Sequence, residues 1–361
     1  MLSSFAMQIF LCDNCGHSVY FDNTVCLKCH NLLGFDSKNL KMVSLQLNPD
    51  QKFTETTTGK GYHFCKNQAL DVCNWVISDE VSEQYCIACS LNRIIPDITK
   101  KEYYDRWKKI ESAKHRLIYA LLRWHLPIIS KAVDYEKGLA FNFKSDSTMT
   151  DGFRVMTGHV NGLITMNIAE ADDVEREMAR NSMDEVYRTV LGHFRHEIGH
   201  YYWERLIWGT DRLDAFRANF GDETYSYQEA LNQYYKHGAP LDWNQNFISA
   251  YATMHPWESW AETWAHYMHI VDTLETAYFY GLSINPKVHE NISVKSAQIN
   301  ENAYDCKNFD TIFDQWLPLS FMMNSINRSM GLQDLYPFVI NLNVKEKLRF
   351  IHNVIHEAKL D

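Results

Sequence analysis

The sequence predicts an α+β protein: a mainly helical domain with a short sheet, preceded by a small module built on cysteine pairs. Three observations predict it. Eight of the nine cysteines lie before residue 90. Beyond residue 100, apolar residues recur at helical spacing over long stretches. Between those stretches lie a few short segments rich in β-formers. The expected division is 1–100 for the cysteine-bearing region and 101–361 for the mainly helical domain.

Cys12, Cys15, Cys26 and Cys29 form two CxxC pairs, and Cys86/Cys89 form a third. Cys65 and Cys73 are more loosely spaced. The start, Met1 to Leu11, has no positive n-region, so it argues against a secretory signal and for a cytoplasmic protein with reduced thiols. There, CxxC pairs read as zinc ligands: each turn brings two sulfurs to one tetrahedral metal, and a second turn completes the shell. Cys12, Cys15, Cys26 and Cys29 are expected to hold one structural zinc in a ribbon, with Asn14 and Gly16 suited to its first tight turn. Cys65, Cys73, Cys86 and Cys89 are expected to hold a second. The competing reading makes Cys65 or Cys73 a buried free thiol.

Between the two sets, the polar segment Gln46 to Lys60 reads as a linker. Pro96 marks the exit. From Glu102 to about His125, the residues Trp107, Ile110, Ala113, Leu117, Ala120, Leu121 and Trp124 share one helical face. Leu139–Phe143 and Phe153–Met156 are strand candidates. GLITMNIA, Gly162 to Ala169, alternates as a strand, and Asp172 or Asp173 suits the cap of a following helix. That strand is either an ordinary core strand or an edge to which a peptide could add.

LGHFRHEIGHYYW, Leu191 to Trp203, contains an HExxH motif in a proline-free stretch read as helical from about Met183 to Trp208. Residues four apart share a helix face, so His196 and His200 can grip one metal. Glu197 sits about 100° around the helix. From there it can act as general base toward a water that the metal activates. Gly192 and Gly199 each cost roughly 1 kcal/mol inside a helix and point to close packing. His193 reads as a core histidine.

A third ligand must come from elsewhere. The pattern with a histidine six residues after the second one is excluded, because Leu206 stands there. In HPWESWAETWAHYMH, His255 to His269, Glu258 and Glu262 lie four apart on one face, and Pro256 suits a helix start. Glu258 is read as the third ligand. Glu262 would accept a hydrogen bond from a ligand histidine and fix its tautomer. Glu262, His255, His266 and His269 are the alternative ligands. Peptide hydrolysis also needs an oxyanion donor. Tyr251, seven residues before Glu258, is the candidate, although most of the 20 tyrosines must fill the core.

Composition excludes other classes. Charged residues are 22% and hydrophobic ones 46%, a globular balance. No apolar run approaches the roughly 18 residues of a membrane span. Net charge is −10, and residues 1–100 carry 8 Lys+Arg against 10 Asp+Glu. That is the wrong sign for nucleic acid, so the cysteine region is expected to serve structure or protein docking.

These segments resemble the bacterial zinc-binding metallopeptidases that carry an N-terminal zinc-ribbon domain. The resemblance rests on CNWV at Cys73 to Val76, CIACSLNRIIPD at Cys86 to Asp97 and GHFRHEIGHYYWERL at Gly192 to Leu206. It continues through FGDE at Phe220 to Glu223 and FISAYATMHPWESWAETWAHYMHIVDTLETA at Phe247 to Ala277, and covers nearly the whole chain. Ser259 departs from it, where an aspartate would follow HPWE. A wider likeness is to gluzincins of the lethal-factor type, whose HExxH, later ExxxE helix and tyrosine seven residues before it fall on His196, Glu197, His200, Glu258, Glu262 and Tyr251. The resemblance implies a zincin-like catalytic domain, one catalytic zinc beside two structural ones, and a peptide or protein substrate. The alternative is a ribbon-bearing adaptor whose HExxH site is structural or lapsed.

Overall fold

The computed structural model describes residues 8–146, 155–172, 189–287 and 296–358. The chain divides into two compact units. One comprises Met1–Thr157 and Gly162–Ala171, the other Gly158–Asn161 and Asp172–Asp361.

In the first unit, the strands β1 (Phe10–Leu11) and β2 (Ser18–Val19) pair antiparallel beside the first cysteine pair. A closed five-stranded barrel follows: β3 (Leu32–Asp36), β4 (Lys41–Leu47), β5 (Phe53–Glu55), β6 (Gly61–Phe64) and β7 (Trp75–Ser78). Consecutive strands are antiparallel, and β7 closes on β3 in parallel. Val43, Leu45, Tyr62 and Val76 fill it, with Phe53 and Phe64 packed against them. Gly34 faces Val76 so closely that a Cβ there would lie 2.3 Å from Cγ1. The closure therefore requires glycine at this point.

This barrel corrects the linker reading of Gln46–Lys60. Threonine is a β-former, and the segment supplies the end of β4, all of β5 and the turn into β6, while many of its polar residues stay exposed. Glu55 is buried, with its carboxylate 2.6 Å from Lys41 Nζ and accepting from Thr58. The turn is made at Gly59, with φ +74°.

Helix α1 (Lys101–Arg123) buries the predicted face, from Trp107 to Leu121, followed by buried Trp124. Its Glu111 and Lys114 form an ion pair with no exposure, and both bond Asn92. Strands β8 (Asn92–Ile94), β9 (Ala140–Lys144) and, after β10 (Gly158–Val160) of the second unit, β11 (Leu163–Asn167) run parallel, β9 pairing both β8 and β11. Two strand candidates thus form. In the third, Phe153 lies outside the described residues, and Val155 and Met156 are not in a strand. Asp173 also lies outside them.

The second unit is helical. Its helices are α2 (Val190–Leu206), α3 (Leu213–Phe220), α4 (Tyr227–His237), α5 (Pro256–Phe279), α6 (Phe309–Ser329) and α7 (Leu342–Glu357). The described helix around HExxH begins later than Met183, with Thr189 as its cap. The Thr189 hydroxyl accepts from Gly192 N–H at 2.9 Å, so Gly192 lies in the first turn and not mid-helix. Residues 183–188 lie outside the described residues. Ser226, Asn308 and Asn341 cap α4, α6 and α7 in the same way. Such caps satisfy N–H groups that a helix start leaves open. Among the described residues no helix is long and apolar enough to cross a membrane.

The α2–α5 contact organises this unit. A Cβ on Gly199 would lie 3.1 Å from Ala261 Cα and 3.2 Å from Trp264 Cβ. Trp260 donates its indole N–H to Gly199 O at 2.8 Å, and Tyr202 stacks on Trp264 at 5.3 Å. Further along, Arg195 of α2 pairs with Asp272 of α5 in a buried ion pair that Tyr304 also joins. The helices are thus set side by side at backbone distance and pinned by charge.

Two predictions follow from this packing. Gly199→Val should separate the helices and destabilise the protein by about 1–3 kcal/mol, as overpacked cores do, in a denaturant titration. An unchanged midpoint would mean that α5 gives way freely. The second concerns Lys347, which is buried with its Nζ 3.1 Å from Asn246 O, 3.2 Å from Ser259 Oγ and 4.2 Å from the Phe247 ring. Burial pushes its pKa down to about 8 from 10.5. Its charge therefore costs stability below pH 8, and that cost is relieved as pH rises toward 10.5. Ser259→Asp should supply the missing carboxylate and raise the melting temperature at pH 7. This advantage should shrink between pH 8 and 10.5. A lower melting temperature at pH 7 would contradict the argument.

Candidate metal centres

The two four-cysteine sets each converge, with their sulfurs within 4.8 Å of one another. Cys12 and Cys29 sulfurs lie 3.7 Å apart, Cys15 and Cys26 3.6 Å, and Cys73 and Cys86 3.8 Å. A disulfide would need about 2.05 Å. A zinc–sulfur bond of 2.3 Å gives a tetrahedral edge of about 3.8 Å, which these spacings match. Cys65 and Cys73 stand within the second set and not apart as lone thiols. Its sulfurs also receive backbone N–H groups: Trp75 to Cys73, Cys86 to Cys65 and Cys89 to Cys86, each at 3.4 Å. All four are buried, whereas Cys15 and Cys29 of the first set are partly exposed. Cys306 is buried elsewhere, with its sulfur against Asn308 O.

The third centre lies between α2 and α5. His196 and His200 occupy one face of α2, with their Nε2 atoms 3.2 Å apart. Glu258, in the first turn of α5, places Oε2 3.0 Å from His196 Nε2 and Oε1 3.4 Å from His200 Nε2. A tetrahedral shell at zinc–nitrogen and zinc–oxygen distances of 2.0–2.1 Å has edges of about 3.3 Å, and the spacings from His196 Nε2 to His200 Nε2 and to Glu258 Oε2 fit it. The protonation pattern fits as well. His196 Nδ1 lies 2.7 Å from Glu262 Oε1 and donates to it, which leaves the Nε2 lone pair directed inward. Glu258 Oε2 is buried and makes no hydrogen bond among the described residues. The donor set is two imidazoles and one carboxylate, the chemistry that zinc takes.

Glu262 is held as a carboxylate. Burial works to raise its pKa, but the hydrogen bond from His196 holds it down at about 2. Ser249 Oγ donates to its other oxygen at 2.6 Å and accepts from Ala252 N–H at 3.2 Å. One hydroxyl thus joins the carboxylate that orients His196 to the short turn carrying Tyr251. Glu197 is buried, and burial raises its pKa above the ordinary carboxylate value, with His196 and His200 opposing. Tyr251 faces the centre, its ring 6.1 Å from that of His196.

The alternative ligands have other partners. His255 caps α5: its Nδ1 accepts from Trp257 N–H at 3.1 Å and its Nε2 donates to Tyr225 O at 3.1 Å. His266 Nδ1 bonds Tyr336 OH at 2.9 Å, and His269 lies against Arg195. Sequence reasoning passed over Ser249 and Tyr227. Tyr227 donates to Glu258 Oε1 at 3.0 Å from α4. It also passed over Trp257, whose ring packs 4.3 Å from that of His200. Ser249 lay within the segment carrying the resemblance. Nothing in spacing marks Tyr227, because it reaches the centre from a separate helix.

A family described as "Putative zinc-binding metallo-peptidase" matches residues 103–354. A zinc-ribbon domain family matches residues 9–100. Uncharacterized proteins of Mycobacterium bovis and of two Mycobacterium tuberculosis strains are each 42% identical over 356 residues, covering 98% of this chain and 97% of the relative. No solved structure matches the chain. The chain therefore belongs to the family described as "Putative zinc-binding metallo-peptidase", with a zinc-ribbon domain ahead of it.

Proposed function

We propose that the protein is a zinc-dependent peptidase of gluzincin type that hydrolyses peptide bonds in a peptide or protein substrate. The observation carrying this reading is the convergence of His196, His200 and Glu258 at tetrahedral spacing, with Glu197 buried beside them. His196, His200 and Glu258 would hold the catalytic zinc. When bound, zinc supplies Lewis-acid polarisation of the scissile carbonyl and makes water more acidic.

The chain's own groups do the rest. Glu197 takes a proton from the attacking water and passes it to the leaving amine, so that one carboxylate serves as base and then as acid. Its burial, which favours the protonated form, suits the second role. The Tyr251 phenol donates to the oxyanion that forms on the carbonyl. Glu262 keeps the His196 ring oriented, and Ser249 keeps Glu262 oriented. The two four-cysteine sets would hold structural zincs in residues 1–100, ahead of a catalytic domain spanning 101–361. There, metal supplies folding energy to a region with a small core. The acidic balance of residues 1–100 favours protein docking over nucleic acid as any further role of the ribbons.

The test is cleavage of a peptide library by purified protein and two variants. Glu197→Gln should keep all bound metal and lose about 10²–10⁴-fold in kcat, the usual worth of a general base. Tyr251→Phe should keep the metal and lose about 10²–10³-fold in kcat, with KM little changed. Cleavage by Glu197→Gln at the wild-type rate would exclude this mechanism.

A further inference from the structure

Beside the proposed zinc ligands, the ligand carboxylate has one hydroxyl partner that no motif announces. Tyr227 opens α4, a helix that buries none of its residues. Its half-exposed ring lies edge-on to His255 at 5.4 Å and to Trp257 at 6.2 Å. Its hydroxyl donates to Glu258 Oε1 at 3.0 Å. The two oxygens of Glu258 are thereby made unequal. Oε1, 3.4 Å from His200 Nε2, carries a donated hydrogen bond, and Oε2, 3.0 Å from His196 Nε2, carries none among the described residues. Tyr251 stands beside Tyr227, its hydroxyl interacting with that of Tyr227, and its ring lies 6.1 Å from that of His196 and 5.7 Å from that of Tyr234.

We propose that Tyr227 is a positioning residue of the metal centre: its hydroxyl, held by the His255 and Trp257 rings, pins Glu258 Oε1 so that Oε2 alone is presented to the metal. The inference rests on the zinc-site reading above. It divides the two phenols by task, Tyr227 setting the ligand and Tyr251 serving the substrate. Groups that hydrogen-bond metal ligands typically change affinity by 10–100-fold when removed. The same carboxylate without Tyr227 is free to rotate and to offer either oxygen.

The experiment is chelator competition on the full-length zinc protein, read by native mass spectrometry as the number of zincs retained. Wild type, Tyr227→Phe, Tyr251→Phe and Glu258→Ala are compared, with melting temperatures taken at saturating zinc. Tyr227→Phe should lose one zinc at about 10–100-fold lower chelator concentration. It should keep the other two zincs and its melting temperature, and Tyr251→Phe should hold zinc as wild type does. Retention by Tyr227→Phe at wild-type chelator concentrations would overturn the proposal. So would a fall in its melting temperature at saturating zinc, which would make Tyr227 a folding residue. If Glu258→Ala itself keeps three zincs, the ligand assignment falls and the inference with it. If Glu258→Ala loses one zinc and Tyr227→Phe none, only the role of Tyr227 is refuted.

Discussion

The close approach of α2 to α5 is the constraint on which the rest of the second unit depends. Glycine at position 199 lets the Ala261 backbone and the Trp264 side chain approach to where a Cβ would stand. Only at that separation can two histidines on one helix and a glutamate on the other share a space the size of one metal shell. The three donors then crowd lone pairs together. Uncompensated, that arrangement is repulsive, and the packing that enforces it must be rigid. The buried Arg195–Asp272 pair and the stacked Tyr202–Trp264 rings supply that rigidity from either side of the glycine. Removing one member of such a pair costs far more than the pair contributes, so the pin also resists change.

Orientation is delegated outward in a chain of hydrogen bonds. Glu262 fixes His196, Ser249 fixes Glu262, and the same Ser249 hydroxyl caps the turn that bears Tyr251. Tyr227 donates to Glu258. His255, at the start of α5, spends both ring nitrogens on the backbone and keeps the Glu258 turn in place. Every proposed ligand except His200 therefore has a partner that limits its rotation, and His200 is packed under the Trp257 ring instead.

The parts legible in the sequence were those encoded by local spacing. CxxC and HExxH place their ligands within one turn of backbone, so spacing alone predicts convergence. The helical face of α1 and the strands at 140–144 and 163–167 were equally local. The barrel was not legible. Its β5–β6 hairpin carries threonines, a lysine and a glutamate, several of them exposed, and such polar alternation resembles a solvated linker. Tyr227 escaped for a related reason. It comes to Glu258 through tertiary packing from a helix with no buried residue, and no periodicity records that. Glu258 was already read as the third ligand from the sequence; what spacing could not show was that the ring nitrogens of His255 and His266 bond other groups and that His269 lies against Arg195.

The most direct test of the account is a zinc count by native mass spectrometry on wild type and on the His196→Ala/His200→Ala double variant. Two four-cysteine sets and one separate His/His/Glu centre require three zincs, falling to two in the variant. Two zincs in both proteins would contradict the account and leave the HExxH helix without a metal to hold.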